Sequence, residues 1–139
     1  MDDKRFERGR KNRAEAVGGD IVDLVFQRSG PVEMDAQKLF TAHAWGEVFD
    51  RPGLGRNVRL LINVATLAIL GERETLKHHV RAAVRNGCTI EEIREAIIQA
   101  GSLAGPIRAV LGCRAADEAL TETPKLAISN RCRRQLRPL

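Results

Sequence analysis

Apolar residues recur along this chain at intervals of three and four rather than two, a spacing that predicts helices nearly throughout. A polar first helix is expected over residues 3–17, ending at Gly18-Gly19. A short second one follows, with Ile21, Leu24 and Val25 on one face, ending at Ser29-Gly30-Pro31. A third is expected over 34–49, with Leu39, Phe40, Ala44 and Trp45 near helical spacing. Arg51-Pro52-Gly53-Leu54-Gly55 then breaks the chain sharply, because a proline and two glycines cannot continue a helix. Residues 56–70 carry apolar side chains nearly all round, which predicts the central, most buried element. The next helix, over 73–86, ends at Gly87, a residue suited to a left-handed C-cap. Thr89 and Glu92 form the pattern of a capping box, and Ile90, Ile93, Ile97 and Ala100 stripe the helix that follows. Gly101, Gly105 and Pro106 mark a break or a close helix contact before a last helix over 107–120. No segment alternates long enough to predict a strand, so the fold class is all-α. Residues 1–124 are expected to form a single domain, and 125–139 a flexible basic tail.

Composition narrows the function classes. With 139 residues, 43% hydrophobic and 29% charged, the chain is globular rather than disordered. Aromatics are only 4%, too few for a base-stacking platform on single-stranded nucleic acid. The net charge of +5 would suit a nucleic-acid partner, but its distribution does not. Residues 1–13 carry an excess of +3 and residues 125–139 of +5, which leaves the centre acidic. Charge concentrated at two ends aids solubility or grips a partner surface, so no specific nucleic-acid binding is expected. The apolar run over 60–70 is too short for a membrane span, and the charged N-terminus has no apolar core of a signal peptide. Cys88, Cys113 and Cys132 form no CxxC pair and no metal-type cluster with histidine, which predicts reduced thiols in a cytoplasmic protein. Helical faces this apolar in a small chain predict oligomerisation.

Two blocks go beyond a generic helical bundle. One runs from Trp45-Gly46-Glu47 through Arg51-Pro52-Gly53-Leu54. The other runs from His78-His79-Val80-Arg81 through Asn86-Gly87-Cys88-Thr89 into Glu92-Ile93. In order and separation they resemble the gamma-carboxymuconolactone decarboxylase family, with its WGxVWxRPGL and HxRxAxxNGxTxEEIxE signatures, over about residues 5–120. The resemblance implies an alkylhydroperoxidase D-like fold, a compact all-α unit that assembles into symmetric oligomers, commonly hexamers; a trimer or hexamer is expected here. That wider group includes peroxidases with a CxxC motif followed by a histidine. Glu72 and Thr75 stand at those cysteine positions, and no neighbouring pair supplies a reactive and a resolving thiol, which disfavours peroxide reduction. Some usual residues of the decarboxylases also differ. Thr75 stands where many have Glu and others Gln, Leu103 and His43 replace tyrosines, and Pro106 is shifted, so the resemblance leaves the exact substrate open.

The resemblance implies cofactor-independent loss of CO2 from a carboxylated unsaturated lactone, giving an enol-lactone in aromatic-compound catabolism through the beta-ketoadipate route. The alternatives are a thiol peroxidase or redox protein, a non-decarboxylating lactone lyase or isomerase, and a non-enzymatic oligomeric binding protein on the same fold. Decarboxylation needs a donor to the oxyanion that develops on the lactone carbonyl, a proton for the ring carbon and a hold on a second carboxylate. The residues matched to the family's motifs fill these roles as expectations. His79, which titrates near neutrality, is the donor or acid. Glu47 orients or protonates it. Arg51 is the carboxylate clamp, Trp45 a substrate wall, and Arg81 a further contact that reaches a neighbouring subunit's pocket or solvent. His78, about 100° around the helix, is expected to be solvated or at an interface. Glu72 and Glu74 are candidates for the acid absent at Thr75. No metal and no organic cofactor is expected.

Overall fold

A computed structural model describes residues 3–122. The described residues form helices joined by short turns, with no strand among them: α1 (Asp3–Val17), α2 (Gly19–Arg28), α3 (Pro31–Phe40), a π-helical segment (Thr41–Val48), α4 (Arg56–Leu70), α5 (Arg73–Arg85), α6 (Ile90–Ala104) and α7 (Pro106–Thr121). It divides between Gly55 and Arg56 into two compact units. Among the described residues no helix is long and apolar enough to cross a membrane. The basic tail and Cys132 lie outside the described residues.

In the N-terminal unit α1 packs against the π-helical segment and α2. Two glycines set the first contact. A side chain at Gly9 would run into the carbonyl of Thr41, and one at Gly46 would meet the carbonyl of Arg5, so the two backbones approach as only glycine permits. The expected helix over 34–49 differs in two ways. It starts earlier, because Pro31 occupies the first helical turn, where its fixed φ and missing N–H cost nothing. From Thr41 it widens to π geometry, seen where the Phe49 N–H donates to the carbonyl of Ala44 at 2.9 Å. Side chains of α1 take up carbonyls of this irregular segment: Arg8 donates to Gly46 at 2.7 Å and Asn12 to Trp45 at 2.9 Å. Asn12 and Thr41 are buried polar groups for this reason, with Arg13 donating to the Thr41 hydroxyl. The edge-on pair of Phe6 and Phe26 ties α1 to α2.

In the C-terminal unit α4 packs against α5, α6 and α7, which makes it central as its sequence predicts. Its burial is one-sided, however. Leu60, Val64 and Ala68 are buried, whereas Val58, Ile62 and Leu70 are exposed, so the apolar circumference is not fully used within the chain. Small residues allow the helices close approach: a side chain at Gly112 would meet Cβ of Ala68 at 2.6 Å, and Gly101 lies against Ala109. α6 runs through Gly101 unbroken, so that glycine marks a contact, while Gly105 and Pro106 make the break. Local signals hold closely here. Gly87 has φ +91°, and the N–H groups of Gly87 and Cys88 donate to the carbonyls of Val84 and Ala83, a Schellman ending for α5. Thr89 and Glu92 cap α6 reciprocally at 2.8 and 3.0 Å. Charges clasp α5 to α7. Arg73 pairs with Glu118, the largely buried Lys77 with Glu122 at 2.8 Å, and Arg81 with Glu122 at 3.2 Å.

Candidate active site

The π-helical segment carries three of the chemistry-bearing residues, Trp45 and Glu47 among them. Widened helical turns of this kind recur at functional sites, because they turn side chains off the regular helical rows. Glu47 is half-buried and uses both carboxylate oxygens. Oε1 accepts from Arg5 at 2.9 Å, and Oε2 lies 3.0 Å from Nδ1 of His43. The His43 hydrogen bond, then the charges of Arg5, His43 and Arg8, hold the Glu47 carboxyl below its ordinary value. It is therefore an ionised acceptor near neutral pH, suited to orienting an imidazole rather than giving up a proton. His43 is the imidazole it touches within this unit. His43 stands out in the family pattern only as a replaced tyrosine, and its i, i+4 spacing to Glu47 is the signal in the sequence that marks the pair.

Trp45 is half-buried and packs its ring on Phe49, with centroids 4.7 Å apart and planes tilted by 51°. Arg51 is exposed in the turn after the π segment, its backbone N–H donating to the carbonyl of Val48 at 3.3 Å.

In the C-terminal unit, α5 presents His78 and His79, both half-buried. Burial, then the charges of Arg81 and Lys77, push His78 below the ordinary histidine value, and its Nδ1 has no hydrogen-bond partner among the described residues. His78, expected to be solvated or at an interface, is half-buried within its own unit. Arg81 does not extend into solvent: Nε donates to the carbonyl of Ala119 at 3.3 Å and Nη2 to Glu122, so within the chain its guanidinium ties α5 to the end of α7. Glu72, Glu74 and Thr75 are all exposed at the start of α5, and Glu74 lies 3.7 Å from Arg73.

The two described thiols, Cys88 and Cys113, are poorly suited to peroxide chemistry. Cys88 is buried with Sγ directed at the carbonyl of Asn57, 3.5 Å away. Burial, then the charge of Asp117, push the Cys113 thiol above its ordinary value, opposite to what a reactive thiolate requires. No group of three or more histidine, cysteine or carboxylate side chains converges as a metal site among the described residues.

The family model for carboxymuconolactone decarboxylases matches residues 34–118, from within α3 to within α7. The chain belongs to the carboxymuconolactone decarboxylase family. It is 36% identical over 104 residues to a 4-carboxymuconolactone decarboxylase of Acinetobacter baylyi, a match covering 75% of this chain and 78% of that protein. It is also 36% identical over 102 residues to a nitrosuccinic acid decarboxylase of Metarhizium robertsii, covering 72% and 70%. Family membership and two relatives named decarboxylases support carboxy-lyase activity for this chain. The matched region takes in Trp45, Glu47, Arg51, His79 and Arg81 together with His43.

Proposed function

We propose that this protein removes CO2 from a small carboxylated substrate of the 4-carboxymuconolactone type, forming an enol-lactone in aromatic-compound catabolism. The observation that carries this reading is the family match over residues 34–118, which spans both signature blocks. The two named relatives act on different compounds, a lactone and a nitro-substituted dicarboxylic acid. What those substrates have in common is a departing carboxylate, an electron-accepting group and a second carboxylate. A lactone is favoured here on the resemblance of the two blocks together.

In this mechanism the electrons of the breaking C–CO2 bond flow through the conjugated double bond to the lactone carbonyl oxygen. His79 stabilises that oxyanion or returns a proton to the ring carbon. Glu47, held ionised by Arg5 and His43, acts as an orienting carboxylate. Arg51, exposed beside the π segment, clamps the second carboxylate, and Trp45 supplies an apolar wall. Arg81 holds α5 to α7 and so supports the helix that carries His79. Each step is assigned to a side chain of the protein, and the reading calls for no cofactor.

The same reading includes an alkylhydroperoxidase D-like fold, a trimer or hexamer, and a cytoplasmic location, in keeping with the absence of a CxxC pair from the sequence. Exposed Val58, Ile62, Leu103, Ile107 and Val110 support self-association, since water-exposed aliphatic surface of this extent is stabilised by a partner. The test follows lactone absorbance and CO2 release with 4-carboxymuconolactone, beside peroxide consumption with a thiol reductant. Turnover in the first assay alone is expected; peroxide consumption alone would replace this reading by the thiol one.

A further inference from the structure

The C-terminal unit contains a cavity of about 360 Å³ bounded by the end of α4, the start of α5 and the face of α7 that carries Arg108, Leu111 and Ala115. Its volume falls within the range of small-molecule sites. Leu67, Leu76 and Leu111 supply an apolar floor, and Arg73, Arg108 and Arg114 supply cationic groups around it. The charges are not balanced. Arg73 is neutralised by Glu118, which also lines the cavity, whereas neither Arg108 nor Arg114 has an ion-pair partner among the described residues. The Arg108 guanidinium lies across Gly71, where φ is +76° and any side chain would collide with it. That glycine therefore ends α4 and at the same time leaves room for the cation at the cavity's edge. His79 is not among the lining residues.

Two unneutralised guanidiniums above an aliphatic floor select a ligand of matching halves: an anionic head for the arginines and an apolar body for the leucines. We propose that this cavity binds a small organic carboxylate with a ring-sized apolar body, its carboxylate on Arg108 with Arg114 adding the second charge, at a site separate from His79. This goes beyond the decarboxylase reading, which uses neither arginine.

Benzoate is the probe, titrated calorimetrically into the full-length protein. Saturable binding is expected for the wild type, with the neutral isostere benzyl alcohol binding much more weakly. R108Q combined with R114Q should weaken benzoate about tenfold or more, the loss expected when charged hydrogen bonds are removed. Both arginines are exposed, so circular dichroism should show the fold retained. Leu111→Glu, at another exposed lining position, places a carboxylate against the same cations and should also weaken benzoate. His79→Ala should bind benzoate as the wild type does, whether or not it turns over a lactone. No binding to the wild type at millimolar benzoate would overturn the proposal. So would unchanged binding in the double variant, or loss confined to His79→Ala.

Discussion

The two units of this chain are held together by different means. In the N-terminal unit the central element is an irregular π segment, and α1 secures it with side-chain donors: Arg8 and Asn12 bond its carbonyls, and Arg5 bonds its carboxylate. In the C-terminal unit four regular helices satisfy their own backbones, pack through alanine and glycine, and are clasped at one edge by Arg73, Lys77 and Arg81 on Glu118 and Glu122. A regular helix leaves its side chains free for packing, whereas an irregular one draws polar side chains into satisfying the backbone. The first unit joins a histidine–carboxylate pair on its π segment to Arg5 of α1. The second carries His79 on α5, a regular helix clasped to α7 by ion pairs.

The largest expected effect asks which unit bears the chemical load. His79→Ala should lower turnover about 10²-fold or more, as for loss of a general acid or base. His79→Gln keeps a donor, so a retained rate in Gln but not Ala would assign oxyanion stabilisation rather than proton transfer. His78→Gln should be nearly silent, and Glu47→Gln should shift the pH–rate profile. A 10²-fold loss in His43→Ala with His79→Ala near wild type would move the chemistry to the N-terminal unit.

Next comes the contrast in packing. Alanine normally favours a helix interior over glycine by up to about 1 kcal/mol. Gly9→Ala should nonetheless destabilise the protein by about 1–3 kcal/mol, because its Cβ meets the carbonyl of Thr41, which cannot rotate aside. Gly112→Ala meets the Cβ of Ala68 and should cost less, since a regular helix can shift as a body. Denaturant midpoints of the two variants give the order directly. An equal cost would mean that the π segment is no more rigidly fixed than α7.

A smaller effect distinguishes the units by pH. Hydrogen bonding from Lys77, then the charges of Lys77, Arg81 and Arg73, hold the Glu122 carboxyl below its ordinary value. A group depressed in the folded state contributes stability above its unfolded pKa, near 4.3, and that contribution is lost as pH falls through the lower folded value. Glu122→Gln should therefore lower the thermal midpoint at pH 7, with the difference closing as pH drops below about 4. Glu47 shifts in the same direction, so Glu47→Gln should show a parallel loss in the N-terminal unit. The smallest effect expected is that of replacing Cys88, Cys113 and Cys132 with alanine, which should leave decarboxylase turnover within a few-fold of wild type. Abolished turnover with the fold intact would favour the thiol reading.

Helix identity and most boundaries were determined by the sequence alone, because capping and turn signals act within a few residues. Gly87 ends α5, Thr89 and Glu92 start α6, and Pro106 starts α7 through interactions that need no distant partner. The two signature blocks likewise marked the family, since they lie in the linear order of residues. Tertiary structure decided the rest. The π geometry of Thr41–Val48 was not legible, because its apolar spacing is close to that of an α-helix and the contact that accompanies it pairs Gly46 with α1, more than thirty residues away. The engagement of Arg81 with Ala119 and Glu122, the addition of Arg5 to the local His43–Glu47 pair and the arginine-rimmed cavity depend on which helix faces bring distant residues together. A local pattern states which face of a helix is apolar; only the packed fold states which charge meets which.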